Sequence, residues 1–443
     1  MNSQVKQQVV HPHRIVIVGG GAGGLELATR LGNSIGKRGQ AHIILVDAAL
    51  THIWKPLLHE VATGKLNSSE DELNYFAHAK KNHFEFCLGR MSDIDREQKH
   101  IVLEQMDSKS GEMIAPCRTL AYDTLVLAIG STSNDFGTLG AKEHCIFLDS
   151  RQQADRFQNE FLNLYLQAQS KVAGRGDDTI SNKRLDIAIV GAGATGVELA
   201  AELHYAAHQF CKYGFKVSPE NVRISLIEAS NRVLPGLSEQ VSASAQAELL
   251  KMGVNVLTEH KVTKIDDSFI YFENGQSLPA TLKVWSAGIK APDFLKNIAG
   301  LETNRINQLI VHSTLQTTLD SHIFAMGDCA SYTPAGQQRA VPPRAQVANQ
   351  QAIFLEQALK AHIEQAGLPE FVFKDKGSLV SLSEKTSVGS ILGNINIQGF
   401  CARMMYVSLY RFHQMALHGF WKTSVFILKD RLSRSARPPL KMH

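Results

Sequence analysis

The first clear pattern in the chain is a run of β-branched residues that leads into a cluster of glycines. Residues 15–18 read IVIV, which is typical of a strand that is covered on both faces. Beyond the glycines, Leu25, Ala28 and Leu31 recur at helical spacing. The pattern therefore predicts a buried strand, a tight turn and a helix.

The turn between this strand and helix has the spacing GxGxxG, with glycines at Gly19, Gly21 and Gly24. The first glycine permits a tight turn, the second lets the backbone approach a diphosphate, and the third lets the helix pack closely on the strand. The next apolar strand, residues 42–46, ends at Asp47, a carboxylate suited to ribose hydroxyls. Glycines alone can form an ordinary turn, but this order of strand, helix and acid predicts a dinucleotide site.

The same order of strand, glycine turn, helix and acid-terminated strand occurs a second time. The corresponding residues of the second copy are Gly191, Gly193, Gly196 and Glu228. In each copy a later apolar strand also runs into a glycine, Gly130 in the first and Gly288 in the second. We therefore predict an α/β protein with two tandem Rossmann-like dinucleotide-binding domains.

Two segments between these motifs are open to more than one interpretation. Residues 152–183 are polar and include GRGDD at 174–178, which predicts a connection between the two units. Residues 51–66 are apolar and aromatic, which predicts a loop that either lines a site or packs in the core. Its histidines, His52 and His59, are expected to be hydrogen-bonded structural residues and not metal ligands.

Further along, an apolar strand reaches Gly327 and Asp328, where the acid can cap a helix or hold a ribityl or diphosphate group. Prolines at 342 and 343 suit the start of a following helix. That helix places Gln346 and Gln350 on one face, because they are four residues apart. An ordinary surface helix is the alternative.

Composition and cysteine spacing exclude several classes. The chain has 443 residues, of which 44% are hydrophobic, enough for two or three domains with their own cores. Its six cysteines are far apart in sequence, so neither a zinc pattern nor a disulfide framework is present and no metal site is predicted. We find no signal sequence and no apolar run of spanning length, and expect a cytoplasmic protein or one bound to a membrane face.

Residues 400–443 differ from the rest of the chain. They carry eight basic residues and one acid, a net charge of +7 against +4 for the whole chain. Large aliphatic and aromatic residues lie between the charges, which predicts an amphipathic helix pair on an anionic lipid surface. A nucleic-acid tail fits the charge but not the aliphatic content, whereas a dimer contact remains a second alternative.

Two dinucleotide sites indicate two cofactors that exchange electrons, here FAD and NADH. The electron acceptor then decides the function. A disulfide substrate would need a redox dithiol, and the cysteine spacing provides none. A lipid quinone would account for the basic, apolar C-terminal segment.

On these motifs the chain resembles the type II, non-proton-pumping NADH:quinone oxidoreductases of bacterial respiratory membranes. The resemblance runs from about Arg14 to the C terminus, through VGGGAGGLE, WKPLLHEVATG, GSTSNDF, VGAGATGVELAAEL, WSAGIKAPDFL, GDCA, PPRAQVANQ and SLYRFHQMALHGFWKT. It implies a glutathione-reductase-like flavoprotein with an FAD-binding domain at 1–150 and 300–380. An NADH-binding domain would occupy 151–299, and 381–443 would anchor the protein to the membrane.

The resemblance also implies roles for particular residues. FAD would be bound by Gly19, Gly21, Gly24, Asp47 and Asp328, and NADH by Gly191, Gly193, Gly196 and Glu228. The quinone signature falls on Ala345, Gln346, Ala348 and Gln350, and the nicotinamide-side glutamate on Glu198. Lys55 and Lys376 are expected near the flavin, and Gly130 and Gly288 are assigned to the cofactor sites as well.

The expected protein is thus a peripheral enzyme on the cytoplasmic face of the bacterial inner membrane. It would pass a hydride from NADH to FAD and two electrons to ubiquinone or menaquinone, without pumping protons or binding nucleic acid. Glu228 favours NADH over NADPH, because a carboxylate repels a 2′-phosphate. The sequence is compatible with both a monomer and a homodimer. The alternatives are a soluble NAD(P)H-dependent flavin reductase for a protein or dye acceptor and a non-enzymatic NADH-sensing flavoprotein.

Overall fold

The computed structural model describes residues 11–66, 72–108, 110–173, 184–383, 386–391, 395–436 and 440–441. By its internal contacts the chain divides into two compact units, and each is assembled from three stretches of sequence. The first unit comprises residues 1–52, 73–131 and 290–373, and the second comprises residues 53–72, 132–289 and 374–443.

The helices alternate with strands through most of the chain. In chain order they are α1 Ala22–Leu31, α2 Leu58–Ala62, α3 Tyr75–Lys81, α4 Ala141–His144, α5 Arg151–Ala173, α6 Ala194–Lys212, α7 Glu239–Lys251, α8 Ala345–Ile363, α9 Phe400–His418 and α10 Phe420–Ala436. In the part of the chain that the structure describes, none of these helices combines the length and apolar character needed to cross a membrane.

The strands vary from two to seven residues in length. In chain order they are β1 His13–Val18, β2 Ala41–Asp47, β3 Thr51–His52, β4 Leu73–Asn74, β5 Glu85–Leu88, β6 Met91–Asp95, β7 His100–Leu103, β8 Met106–Asp107, β9 Met113–Ala115, β10 Arg118–Ala121, β11 Thr124–Leu127, β12 Thr132–Ser133, β13 Ile146–Phe147, β14 Leu185–Val190, β15 Val222–Ile227, β16 Asn255–Leu257, β17 Val262–Ile265, β18 Phe269–Phe272, β19 Ser277–Pro279, β20 Leu282–Trp285, β21 Ile289–Lys290, β22 Leu309–Ile310, β23 Gln316–Thr317, β24 Asp320–Ala325, β25 Ala330–Ser331, β26 Gly377–Ser381, β27 Ser387–Ile391 and β28 Ile395–Gly399.

The first unit is built on a sheet with the strand order β23-β24-β11-β1-β2-β5. All neighbours in it pair in parallel except β23 with β24. Ile15, at the centre of β1, pairs with Ile43 on one side and Thr124 on the other. It is fully buried, as expected for a β-branched residue in a strand covered on both faces.

The second unit repeats this arrangement. Its main sheet has the order β13-β20-β14-β15-β16 and is parallel throughout. The order β20-β14-β15-β16 corresponds strand for strand to β11-β1-β2-β5 of the first unit. The predicted α/β fold with two tandem Rossmann-like units is therefore confirmed.

The predicted polar connection at 152–183 is wrong over most of its length. Residues 151–173 form the long helix α5 instead. Phe157, Phe161 and Tyr165 recur every four residues on one face of this helix and are fully buried in the second unit. A narrow aromatic stripe thus anchors a helix whose exposed positions are mostly polar. The GRGDD motif at 174–178 lies outside the described residues.

The apolar segment at 51–66 is also more ordered than a loop. It contains β3, a short 3-10 helix at Lys55–Leu57 and then α2. Leu57, Leu58 and Val61 are buried, so core packing accounts for its aliphatic residues.

The C-terminal part of the second unit begins with the antiparallel sheet β26-β27-β28. Helix α9 starts directly after β28 and packs against all three of these strands. Ala402 and Arg403, in its first turn, are buried. The beginning of α9 is therefore part of the second unit's core.

Candidate active site

Two of the three glycines in the first turn are required by the protein's own packing. Gly19 has a φ of +107°, and a Cβ added there would collide with the carbonyl oxygen of Ala128. A Cβ on Gly24 would collide with the carbonyl oxygen of Gly19, where α1 crosses β1. These positions match the roles that the motif predicts for its first and third glycines.

At the middle glycine, Gly21, neither a positive φ nor a close contact within the protein requires a glycine. Its φ is −64°, an ordinary value, and no atom lies within 4 Å of an added Cβ. Gly21 is the N-cap of helix α1, which has no side-chain cap and no acid in its first turn. The open space beside free helix N–H groups fits a diphosphate, whose charge the helix N-terminus favours.

Side chains from three elements hold this turn in place. The Gly20 N–H donates to Asp47 Oδ2 at 2.6 Å, and the Ala49 N–H donates to Asp47 Oδ1 at 2.7 Å. The Gly20 carbonyl accepts from the Tyr75 hydroxyl at 2.6 Å and lies 2.9 Å from His52 Nδ1. Burial raises the pKa of Asp47, while the two N–H donors act in the opposite direction. The prediction that His52 is a hydrogen-bonded structural residue is confirmed.

The second unit reproduces these contacts with different residues. Gly191 has a φ of +102°, and a Cβ on Gly191 or on Gly196 would collide with the backbone. At Gly193 an added Cβ would meet nothing within 4 Å. Gly193 is the N-cap of helix α6, which again has no side-chain cap and no acid in its first turn. The same open space for a diphosphate is therefore present twice.

Glu228 takes the place of Asp47 in this second turn. Its Oε2 accepts from the Ala192 N–H at 2.9 Å. Its Oε1 accepts from the N–H and hydroxyl of Ser230 at 2.9 and 2.8 Å. The Ala192 carbonyl accepts from the Leu234 N–H at 2.8 Å. In the first unit the corresponding carbonyl, that of Gly20, contacts Tyr75 and His52. Both acids are thus held beside their turns by N–H donors, with lone pairs left for ribose hydroxyls.

Two other helices, α3 and α7, are capped by side chains in the usual way. The Ser238 side chain accepts from the Val241 N–H at the start of α7, and the Asn74 side chain accepts from the Ala77 N–H at the start of α3. Such caps satisfy a helix terminus from within the protein. Helices α2, α4, α8 and α9 also lack a side-chain cap. What distinguishes α1 and α6 is the combination of a missing cap with open space at an N-cap glycine of ordinary, negative φ, which leaves room for a ligand beside N–H donors.

Asp328 lies in the first unit, and its assignment to an FAD site stays a prediction. Its Oδ2 accepts from the Ser131 hydroxyl at 2.7 Å, next to Gly130. Its main-chain carbonyl accepts from Gln308 Nε2 at 2.8 Å. The preceding Gly327 N–H donates to Gln351 Oε1 at 2.7 Å. Sequence reasoning missed Gln351, because nothing in the local pattern of α8 distinguishes this buried glutamine from its neighbours.

Gln346 and Gln350 lie on one face of α8, as predicted. Gln350 Nε2 donates to Gln346 Oε1 at 3.3 Å, and both side chains are partly buried. Ala345 is the first residue of this helix. Ala348 faces α1 instead, because a Cβ on Gly23 would lie 3.1 Å from that of Ala348. Its small side chain is therefore needed for packing between two helices of the first unit.

The two lysines expected near the flavin belong to the second unit. Lys55 Nζ lies 3.5 Å from Asp149 Oδ1, and Asp149 accepts from the Ser133 N–H at 2.9 and 3.0 Å. Lys376 is exposed and directly precedes β26. Their roles stay predictions.

A residue that the sequence did not single out covers Gly288. Phe136 has an αL backbone with a φ of +52°, and its side chain is 66% exposed. A Cβ on Gly288 would collide with the Phe136 ring. Trp285 Nε1 donates to the carbonyls of Asn134 and Ala287 at 2.8 and 3.0 Å. The segment around Phe136 is thus tied to the end of β20, and Gly288, whose φ of +66° favours glycine, lies against the Phe136 ring.

Glu198 is buried within the second unit and not exposed at a helix surface. Its Oε1 accepts from the Ser381 N–H at 3.0 Å, and its Oε2 lies 3.5 Å from His59 Nδ1. The Tyr406 hydroxyl also donates to this carboxyl. Burial is the largest influence and raises the pKa of Glu198 to about 8, although the two donors oppose it. The carboxyl is therefore protonated at neutral pH.

Charged side chains surround this carboxyl. Lys65 Nζ lies 2.5 Å from Glu202 and 3.6 Å from Glu60. Burial lowers the pKa of His59 to about 4, so its ring is neutral, and its buried Nε2 has no hydrogen-bond partner. A cluster of groups with such perturbed protonation is a feature of functional sites. His59 also hydrogen-bonds to the backbone of Pro56, so the prediction that it is a hydrogen-bonded structural residue is confirmed, although its Nε2 lies buried without a partner.

Comparisons with known proteins agree with this geometry. Residues 13–352 match the family model described as pyridine nucleotide-disulphide oxidoreductase. A type II NADH:quinone oxidoreductase of Haemophilus influenzae is 46% identical over 97% of this chain and 99% of its own length. A protein of the same description from Mycobacterium tuberculosis is 29% identical over 94% of this chain and 86% of its own length.

Solved structures give the same fold at lower sequence identity. NDH2 from Plasmodium falciparum in complex with NADH has a TM-score of 0.80 at 20% identity, covering 97% of this chain and all of that one. The sulfide:quinone oxidoreductase of Aquifex aeolicus has a TM-score of 0.71 at 17% identity, covering 92% of each chain. The family match and the 46% identical relative decide the identity. The chain belongs to the pyridine nucleotide-disulphide oxidoreductase family and, within it, to the type II NADH:quinone oxidoreductases.

Proposed function

We propose that this NADH:quinone oxidoreductase holds FAD at the glycine turn of its first unit and NADH at that of its second. One observation carries the assignment: two glycine turns with the same hydrogen bonds, each followed by an uncapped helix and each holding a carboxylate. Bound FAD supplies a ring that accepts a hydride and gives up two electrons.

The residues of both turns bind and orient the cofactors. The first N–H groups of α1 and α6 donate to the two diphosphates. Asp47 and Glu228 accept ribose hydroxyls, and Glu228 disfavours the extra phosphate of NADPH. Asp328, held by Ser131 and Gln308, is placed to accept a hydroxyl from the ribityl or diphosphate region of FAD.

Glu198 holds a proton on the nicotinamide side. Reduction of a quinone by NADH consumes one proton from solution besides the hydride. A carboxyl with a pKa of about 8 is protonated near neutral pH and can release that proton without a large free-energy cost. The support is its place on α6, five residues after Gly193, together with its burial.

A quinone fits the chemistry of the acceptor side better than a disulfide does. All six cysteines are free thiols and widely separated in sequence, so a redox dithiol is not available. The amides of Gln346 and Gln350 lie side by side on α8. Amide N–H groups can donate to quinone carbonyls, which supports their assignment to the acceptor.

The two C-terminal helices supply a surface for the lipid bilayer in which such a quinone dissolves. Arg411 of α9 forms an ion pair with Asp430 of α10 at 2.7 Å, which fixes the pair. The large apolar residues that these helices expose are Phe400, Met404, Met405, Leu409, Phe412, Met415, Phe420, Trp421, Val425, Ile427, Leu428 and Leu432. With the net charge of +7 over 400–443, this face suits the cytoplasmic surface of an anionic membrane.

The middle glycines test the two cofactor sites separately. Because an added Cβ meets no protein atom at Gly21 or Gly193, both alanine variants are expected to fold. Gly21→Ala should lose most of its FAD, since the new methyl group occupies the space of the diphosphate. Gly193→Ala should keep its yellow flavin but bind NADH at least about tenfold more weakly. Flavin content after purification and an anaerobic NADH titration measure these two effects.

Gly24→Ala is the matched control for that pair, because its Cβ would collide with the backbone. It should lower the melting temperature, whereas Gly21→Ala, reconstituted or not, should unfold near the wild-type apoprotein. Flavin retention in Gly21→Ala with loss in Gly193→Ala would reverse the assignment of the two units.

Gln346 and Gln350 should matter for quinone and not for NADH. Gln346→Ala and Gln350→Ala each remove an amide donor, worth about 1 kcal/mol or roughly fivefold in rate. Stopped-flow reoxidation by a short-chain quinone should slow by about that factor, while anaerobic reduction by NADH stays unchanged. The control variant is Ile353→Ala, at an exposed position of the same helix. Asn349→Ala is unsuitable, because Asn349 donates to the buried Glu26 at 2.7 Å. A defect confined to reduction by NADH would contradict the quinone assignment.

The C-terminal face should bind vesicles of phosphatidylethanolamine and phosphatidylglycerol. Trp421 and Val425 are 81% and 64% exposed, and burying two such side chains is worth about 3 kcal/mol or more. The double variant Trp421→Glu with Val425→Glu should therefore co-sediment at least about tenfold more weakly. Leu166→Glu, at a position that is 47% exposed on α5, is the control and should bind normally. If the double variant changes only the molecular mass in solution, the face is a dimer contact and the membrane proposal is wrong.

A further inference from the structure

Helix α9 presents a different set of side chains on each of two faces. Its exposed face carries Phe400, Met404, Leu409 and Phe412, the residues proposed to meet lipid. The other face contacts the rest of the second unit through residues 403, 406, 410 and 413, which recur every three or four positions. What this second face does is not explained by membrane binding.

The first half of the inner face reaches Glu198. Arg403, buried in the first turn of α9, donates from Nη1 to Ser381 Oγ at 2.6 Å. The N–H of the same Ser381 donates to Glu198 Oε1. The Tyr406 hydroxyl donates directly to the Glu198 carboxyl. The helix therefore touches this carboxyl once directly and once through a single residue.

The second half of the inner face packs on the segment that carries His59. The Trp54 ring stacks on Tyr410, with centroids 5.2 Å apart and planes at 18°. It also stacks on His413 at 5.3 Å and 12°. Trp54 directly precedes the short helix at Lys55–Leu57 and α2, in which His59 lies. These aromatic contacts therefore hold α9 against the segment that contains His59, one of the residues around Glu198.

We propose that Tyr406 is a positioning residue for Glu198, and that α9 completes the Glu198 site in addition to forming the lipid-facing surface. The functional part of this inference rests on the role proposed above for Glu198, whereas the positioning itself rests on the contacts. A cut at Phe400 would then remove a donor from a buried carboxyl, and the C-terminal segment would not be a separable anchor.

The effect of Tyr406 on the proton of Glu198 has a definite sign. The titratable and charged groups around Glu198 are His59 and Glu60 of α2, Lys65 after it, Glu202 of α6, and Arg403 and Tyr406 of α9. Burial and the nearby Glu60 and Glu202 favour the neutral carboxyl. The Tyr406 hydroxyl favours the charged carboxylate, so its removal should raise the pKa of Glu198 further.

Infrared spectroscopy can follow this carboxyl without any turnover. In the FAD-bound, detergent-solubilised full-length enzyme, the carboxylic C=O band lost in Glu198→Gln identifies the group. In Tyr406→Phe, the midpoint of its pH titration should move upward by about one pH unit. Ser408→Ala removes another hydroxyl from α9, one that donates to the Met405 carbonyl of its own helix, and should leave the midpoint unchanged.

A second variant keeps the test informative if Tyr406→Phe folds poorly. Incorporation of 3-fluorotyrosine at position 406 keeps the ring and the hydroxyl but makes the phenol a stronger donor. The midpoint should then move downward, the opposite direction. A midpoint that stays at the wild-type value in both variants would overturn the positioning role.

Kinetics separate this inference from the proposed function. If Tyr406 acts through Glu198, the change in the pH profile of turnover caused by Tyr406→Phe should vanish in the Glu198→Gln background. An equal kinetic defect in both backgrounds would show a general packing role and contradict the inference. If Glu198→Gln alone leaves both half-reactions unchanged while the infrared midpoint still shifts, the catalytic role of Glu198 fails but the positioning by Tyr406 stands.

Discussion

In both units a backbone N–H of the glycine turn donates a hydrogen bond to the carboxylate at the end of the next strand. Gly20 donates to Asp47 in the first unit, and Ala192 donates to Glu228 in the second. This bond places the acid beside the first turn of a helix that has no cap of its own. A carboxylate close to a helix N-terminus commonly caps the helix by accepting hydrogen bonds from its first N–H groups. Here the acid binds the turn, and the helix N–H groups remain for a diphosphate.

The local features of this arrangement could be predicted from the sequence. The β-branched strands, the glycine spacing and the acids each follow from a few neighbouring residues, so the fold class and the repeated topology are confirmed. The contacts that hold the turns could not be predicted, because Tyr75 and Gln351 act across distances of 55 and 24 residues. No periodicity or motif marks such a residue. Phe136 was missed for the same reason, since it covers a glycine 152 positions later.

The sequence interpretation that failed, and one that was incomplete, have a common physical cause. Helix α5 reads as polar because its fully buried large residues are the three aromatics Phe157, Phe161 and Tyr165, and so narrow a stripe is easily hidden among polar and charged residues. For His59 the sequence indicates a hydrogen-bonded structural residue, which is confirmed, but it cannot show that the ring is buried beside Glu198. In each case long-range packing, and not local propensity, decides the environment. The C-terminal helix α9 shows the same limit, because its amphipathic pattern reveals an apolar face but not the polar contacts of Arg403 and Tyr406 on the other side.

The central claim is that one chain passes electrons from NADH through a bound flavin to a quinone. Anaerobic titration of the purified protein with NADH, followed at the flavin absorbance bands, tests it most directly. About one equivalent of NADH per bound FAD should bleach these bands, and a short-chain quinone added afterwards should restore them rapidly. A protein without flavin, a flavin that NADH does not bleach, or a reduced flavin that quinone leaves unchanged would contradict the account.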